Sequence, residues 1–526
     1  MALNKLGPYE TEVNSLLEHY QNGRFDIAEK LAISITEKFP QDQFSWKVLG
    51  ALLQQTGRVA EALVASKKSV ETNPNDAEAY NNLGSVLNSL DKIEEAEKNF
   101  KKAIALKPDF FQAHSNLGIT LHKFGKLEEA QQSHRNAIAM NPDYAEAYCN
   151  LGMILQDLGK LEEAEENHRH AILLKPDCIA AHNGLGIVLQ ELHRLKEALT
   201  VFKTASLLMP DYAEVLLNLS IAQDYSNNLD AAILQLENIL AIDSILKIDS
   251  FGLRAAILLA IFRFLEDDFS TSKKLLLSAS QIQDKITFDD KAYKIYQIYL
   301  LKILSWHENK PLENLKNKSD KILYVIGESH GLVSHGLSIR KTSGHFLCKS
   351  LLIMGCKQWH LGNSIKNKYK FKFESLMHSL SKSSEILLSI GEIDCRLEEG
   401  IIKYNNKYPE KSRTELITAT VENYLNYVHK INFSYQHKIT IQGVPCPNID
   451  ISDISKEKVI ELIDLIREFN IVLKDKSTEI GFSFLDVYKL SDRGDGFSNL
   501  IWHLDSSHLS PEAMKEAWQL HLNLDN

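Results

Sequence analysis

Six prolines, Pro40, Pro74, Pro108, Pro142, Pro176 and Pro210, stand 34 residues apart each time. A fixed period of this length means one structural unit used repeatedly, each copy packed on its neighbours. Two more rows keep the same phase. Gly50, Gly84, Gly118, Gly152 and Gly186 each follow a leucine, and Leu219 continues the leucine row. Ala62, Ala96, Ala130, Ala164, Ala198 and Ala232 form the other. Proline closes a helix because it cannot donate within one, and small residues belong where two backbones approach. The unit therefore reads as a pair of antiparallel helices.

The strings Trp46-x2-Leu49-Gly50 and Tyr80-x2-Leu83-Gly84, the latter followed by Ala96-x3-Phe100 and Pro108, resemble the tetratricopeptide repeat family position by position. Gly23, Ala28 and Pro40 extend the register backwards, and Asn218, Leu219 and Ala232 carry it forward until Ser244 replaces the expected proline. About seven repeats over 8–245 are expected, within an array spanning 1–249. The Leu/Ile-rich segment 250–306, with a Leu265-Glu266-Asp267-Asp268-Phe269 turn, reads as degenerate helical hairpins capping the array, because a solenoid's last repeat otherwise exposes its apolar face. Asn82, Asn116, Asn150 and Asn218 share one repeat position, with Gly184 breaking the row. This is similar to the asparagine ladder of the tetratricopeptide superhelix in O-GlcNAc transferase, and implies a groove for a protein or peptide backbone. The alternative is that these amides bond neighbouring repeats. His114 and His182, in the Trp46 position, are two repeats apart and read as packing residues.

Composition narrows the function classes. Among 526 residues, 59 are basic and 69 acidic, for a net charge of −10. Up to Ser250 there are 23 basic and 35 acidic residues, leaving 36 and 34 beyond it. No concentrated basic face is implied, so no nucleic-acid partner is expected. At 44% hydrophobic and 24% charged residues the chain is of ordinary soluble type. No stretch reaches the roughly 18 apolar residues of a membrane span, and a cytoplasmic location is expected. Six cysteines include no CxxC pair, and His335, His345 and His503 lack ligand spacing, so neither metal nor disulfide framework is expected. With no GxxxxGK[ST] or GxGxxG loop, no cofactor is expected either.

After Trp306 a polar stretch, 307–320, reads as a linker, and the pattern then changes. Short apolar runs at 322–326, 386–390, 439–441 and 482–487 alternate with helical-looking segments at 346–354, 371–381, 414–431, 455–478 and 510–522. An α/β domain over 321–526 with a mostly parallel sheet fits that alternation. In such sheets sites lie at the carboxyl ends of strands. There stand Gly327-Glu328-Ser329-His330-Gly331, then Gly391-Glu392-Ile393-Asp394-Cys395-Arg396, and near the end of the sequence Asp505-Ser506-Ser507-His508. A serine hydroxyl needs an imidazole to take its proton, and the imidazole is best held by a carboxylate.

Gly-x-Ser-x-Gly alone points to an α/β-hydrolase elbow, but Ser329 follows the domain's first strand and Asp505 is three residues before His508. That order resembles the SGNH (GDSL-type) hydrolase family over about 321–524. The resemblance implies Ser329 as nucleophile, His508 as general base and acid, and Asp505 as the group fixing the imidazole. It also implies an oxyanion hole from the N–H groups of Ser329 and Gly362. Two positions depart from the pattern: Glu328 replaces the usual Asp, and Ile393 stands where a donor Asn is expected, a loss typically costing on the order of 10²–10³ in rate. Asn363 is the nearest substitute. Glu392 and Arg396 read as a structural or substrate-orienting pair, with Asp394 and His330 as further candidates for substrate contact. The expectation is an esterase or acyltransferase acting on an acyl ester, plausibly an acylated glycan, with the repeats recruiting a protein partner. The alternative is a non-catalytic scaffold whose second domain binds a glycan or partner. A glycosyltransferase of the O-GlcNAc transferase type fares worse, because about 205 residues are too few for two nucleotide-binding lobes.

Overall fold

The structure, a computed structural model, describes residues 8–241, 250–283, 290–309, 321–396, 400–407, 410–448, 454–505 and 508–524. Two compact units divide at Leu189 and Gln190. The end of the repeat register at Ser244–Ile245 lies outside the described residues.

The first unit is a run of helix pairs from Pro8–Gln21 to the helix that begins at Ile179. Its rows have direct physical causes. A Cβ on Gly84 would lie 2.8 Å from the Phe100 ring, on Gly118 2.5 Å from His134 Nε2, and on Gly152 2.7 Å from His168. In these three pairs only glycine lets the first helix seat against the large side chain of the second. The Trp46 slot is equally specific. Trp46 Nε1 donates to Pro40 O at 2.9 Å, and His114 and His182 place Nε2 3.1 and 2.9 Å from Pro108 O and Pro176 O. These histidines thus tie each helix to its own proline turn, the packing role expected of them. Asp42 and Asp76 cap the following helices, accepting from Ser45 N and from Glu78 N and Ala79 N. Between paired helices the chain takes a left-handed residue at Gly23, Gly57, Asp91, Gly125 and Gly159.

The second unit opens with further helical pairs. The helices Leu195–Leu208, Ala213–Tyr225, Leu229–Ala241, Ser250–Leu265, Phe269–Gln283 and Lys291–Asn309 precede the sheet. His193, Asn227 and Asp267 hold left-handed turns here, so the repeat's turn geometry persists beyond its last proline. The segment expected to cap the array shares one apolar core with the sheet domain. That core runs from Leu216, Leu236 and Ile257 through Tyr299 and Leu300 to Val325, Leu332 and Trp518. Lys372, buried, also pairs with Asp224 at 2.8 Å, joining the Lys368–Ser379 helix to Ala213–Tyr225. The domain boundary expected at 307–320 is therefore no boundary between compact units. The helix continues to Asn309, and 310–320 lie outside the described residues.

Among the described residues six strands follow: β1 (Lys321–Gly327), β2 (Ser338–Lys341), β3 (Gly344–Leu352), β4 (Glu385–Ser389), β5 (Lys438–Gln442) and β6 (Ser483–Leu485). Their order is β2-β3-β1-β4-β5-β6. The sheet is mixed: β2 and β3 pair antiparallel, while the other four pairings are parallel. The expected helix at 346–354 is instead β3. Its alternate residues Phe346, Cys348, Ser350 and Leu352 are buried, a period of two that places them on one face of the sheet. Helices at Lys368–Ser379, Arg413–Asn432, Lys456–Ile480 and Pro511–Leu524 fall where helical segments are expected. All six cysteines are free thiols. Among the described residues no helix is long and apolar enough to cross a membrane.

Candidate active site

The site forms where β1 and β4 end side by side. A Cβ on Gly327 would lie 2.4 Å from Ser389 O, so only glycine allows this approach. The chain then turns into a single helical turn, Ser329–Leu332, capped by Glu328, whose Oε2 accepts from Ser329 N at 3.0 Å. Ser329 Oγ has two acceptors in reach, Glu328 Oε2 at 2.8 Å and His508 Nε2 at 3.0 Å. On the far side of the imidazole, His508 Nδ1 lies 2.9 Å from each Asp505 carboxylate oxygen, and Asp505 also accepts from His508 N. The carboxylate fixes the tautomer: Nδ1 carries the proton, and Nε2 faces Ser329 as acceptor.

Ser329 and His508 are both buried. The imidazole lies between two rings, Tyr299 with centroids 3.9 Å apart and His330 at 4.5 Å. Burial and the neighbouring His330 push the His508 pKa down, while Asp505 and Glu328 oppose the shift. His330 Nδ1 is 2.8 Å from Glu328 Oε1. Burial alone would raise the Glu328 pKa, but His330, Arg396 and His508 outweigh it and hold the carboxyl at about 2. Two carboxylate–imidazole pairs thus converge on one serine.

The remaining expected residues divide. His330 and Glu392 line a small cavity of about 10 Å³, room for about one water, with Glu328, Ser389, Gln442 and Gly443. Ser389 Oγ and Gln442 Oε1, both buried, make no hydrogen bond there. Glu392 holds Arg396 through contacts of 2.6–3.1 Å, the pairing read from their spacing. Asp394 is buried and accepts from Gln358 N at 2.7 Å and Trp359 N at 3.4 Å, so it anchors the helix Gln358–Gly362. Burial, partly offset by those N–H groups, pushes its pKa up to about 7. Gly362 and Asn363 line a different, larger cavity of about 590 Å³ with Trp359, Tyr404 and Asn423, and neither cavity's lining includes Ser329 or His508. The side chain of Ile393 lies outside the described residues. Glu328, His330 and Glu392 stand close enough to meet one cation, yet Glu328 is already bonded to Ser329 and His330, and Glu392 to Arg396.

Asn82, Asn116 and Asn150 are half-buried in the first unit, and Asn116 Nδ2 donates to Asn81 Oδ1 of the preceding repeat at 2.9 Å. One amide of the row thus bonds a neighbouring repeat. Asn218 is half-buried in the second unit.

Tyr296, Tyr299 and Gly355 entered no sequence expectation. The tyrosines sit in the segment read as a cap, and a signal was present: Tyr293, Tyr296 and Tyr299 recur every three residues, which lines one helix face. Gly355, just past β3, has a left-handed φ of 68°.

Family models described as tetratricopeptide repeat match residues 77–110 and 109–174. These segments are tetratricopeptide repeats, a class that presents helical surfaces to protein partners. Among solved structures, the chain resembles the Cut9–Hcn1 hetero-tetramer of the APC/C, with 21% identity over 53% of this chain and a TM-score of 0.42. It spans about half of that chain, 52%. YrrB, described as a repeat protein with an unusual peptide-binding site, matches at 24% identity over 34% of this chain and 91% of its own, with a TM-score of 0.29. PilF of Pseudomonas aeruginosa matches at 20% identity over 39% and 93%, with a TM-score of 0.35. No curated protein sequence matches the chain.

Proposed function

We propose that the second unit is a serine acyl hydrolase or acyltransferase of the SGNH type, and that the repeats hold a protein or peptide partner. One observation carries the reading: the continuous chain from Ser329 Oγ through His508 to Asp505, with links of 3.0 and 2.9 Å. Ser329 Oγ attacks the ester carbonyl carbon while its proton passes to His508 Nε2. The resulting imidazolium, stabilised by Asp505, returns that proton to the departing alkoxide and leaves an acyl-serine. Water or an acceptor hydroxyl then takes the acyl group by the same route in reverse. A protein partner in the repeats would raise the local concentration of its attached substrate.

The test is turnover of an aryl acetate. Ser329→Ala should lose at least about 10³-fold in kcat with an unchanged circular dichroism spectrum; equal turnover in the variant contradicts the reading. One observation favours the binding-only alternative: Glu328 Oε2 occupies the Ser329 N–H that an oxyanion would use. Ile393→Asn separates the two, since a tenfold gain or more marks a catalytic site short of one donor.

A further inference from the structure

When Ser329 attacks an ester, Oγ bonds to the carbonyl carbon, the C=O electron pair moves to oxygen, and the serine proton passes to His508 Nε2. The oxygen that gains the charge needs a donor already aimed at it, and the backbone N–H of Ser329 is the donor next to the nucleophile. That place is filled from within the chain. Glu328 Oε2 lies 3.0 Å from Ser329 N and 2.8 Å from Ser329 Oγ, so one carboxylate oxygen sits on the N–H and on the nucleophile together. An acyl oxygen attached to the carbon that Oγ attacks requires the same space and the same N–H. Substrate and Glu328 therefore compete.

The carboxylate has a second position open to it. Its other oxygen, Oε1, is 2.8 Å from His330 Nδ1, which holds the group at one end. Gly327 pairs with Ser389 in the β1–β4 register, and Glu328 N donates to Ser389 O at 3.4 Å. The two residues also line the same cavity of about 10 Å³, space for one water and so for one carboxylate oxygen. Ser389 is only 3% exposed, and its hydroxyl has no hydrogen-bond partner among the described residues. A buried hydroxyl left without an acceptor is uncommon and costly. Glu328 does not leave Ser329 by taking up a proton. Against the effect of burial, His330, Arg396 and His508 hold its carboxyl at about 2, so it moves only as a carboxylate.

We propose that Glu328 is an internal gate on the oxyanion position: Oε2 caps the Ser329 N–H at rest and swings onto the Ser389 hydroxyl when an acyl oxygen takes that N–H. The relay from Ser329 through His508 to Asp505 is untouched by this movement, so the gate slows the attack without disarming the base. This assignment rests on the acyl-transfer reading above.

The experiment times Ser329 labelling by a fluorophosphonate in the full chain, for wild type, Glu328→Ala, Ser389→Ala and the double variant. One oxyanion donor is worth on the order of 10²–10³ in rate, so Glu328→Ala, which uncaps the N–H, should label at least about tenfold faster than wild type. Ser389→Ala removes the partner of the released carboxylate and should slow labelling about threefold, the effect of one hydrogen bond. In the Glu328→Ala background the same change should have no effect, because the two side chains act as a pair. Labelling of Glu328→Ala at or below the wild-type rate overturns the gate and leaves the acyl-transfer reading intact, and so does an equal effect of Ser389→Ala in both backgrounds. An unlabelled wild type overturns both. Should Glu328→Ala fail to fold, Glu328→Gln supplies the second arm: an amide oxygen accepts about half as strongly as a carboxylate, so labelling should still quicken about threefold or more, and an unchanged rate overturns the gate.

Discussion

At the scale of single residues, the behaviour of Ser329 is set by its two acceptors. Glu328 is ionised at any working pH, with its carboxyl held at about 2, so the serine proton is shared between a fixed carboxylate and the His508 imidazole. Only the imidazole can carry that proton onward to a leaving group. Because burial and His330 depress the His508 pKa, the base form persists below the ordinary histidine value of 6.5. The acid limb of kcat/KM should therefore have its midpoint below pH 6.5, and a midpoint above it would contradict this environment. Asp505→Asn should cost about 10³–10⁴ in kcat, because the amide can stabilise the other tautomer and turn Nε2 into a donor. The juxtaposition of Ser329, His508 and Asp505 was legible because each of them sits at a strand end or in a short string with fixed spacing. Glu328 as occupant of the Ser329 N–H was not, since a carboxylate's second partner depends on the angle at which the chain leaves β1.

At the scale of elements, the repeat explains itself through rows of contacts. Gly118 faces His134 so closely that Gly118→Ala should destabilise the first unit by about 1–3 kcal/mol, measured by urea melting. His134 and His168 occupy the slot that Phe100 fills in an earlier repeat. Burial lowers both imidazoles from 6.5 to about 4. The sign follows: the folded state prefers the neutral ring, so stability present above pH 6.5 is lost as pH falls towards 4. The gap corresponds to roughly 3 kcal/mol per imidazole. His134→Phe with His168→Phe should flatten the acid side of a pH–stability curve, and an unchanged curve would show that these rings are not what titrates. The helix pairs were legible because a 34-residue period repeats the same evidence six times. Strand β3 was not: a short, mostly apolar segment interrupted by Lys349 and Ser350 suits helix or strand, and its pairing with β1 and β2 decides between them. The left-handed turn row was partly hidden as well, because Asp91, His193 and Asn227 take the place that glycine fills elsewhere.

At the scale of the whole molecule, the compact units do not follow the composition. The acidic excess ends near Ser250, yet the second unit begins at Gln190, because helices from Ala213 onward share their core with the sheet. A fragment of 321–526 would expose the faces that Leu258, Tyr299 and Leu300 cover, so it should aggregate or lack a cooperative melt, whereas 190–526 should melt cooperatively. A cooperative, soluble 321–526 would contradict the shared core. The central claim, that the chain from Ser329 to Asp505 is an acyl-transfer centre, is tested most directly by treating the full protein with a fluorophosphonate and locating the adduct by mass spectrometry. The account predicts one adduct, on Ser329, absent in His508→Ala. A folded wild type that takes no adduct, or takes it elsewhere with Ser329 untouched, would contradict it.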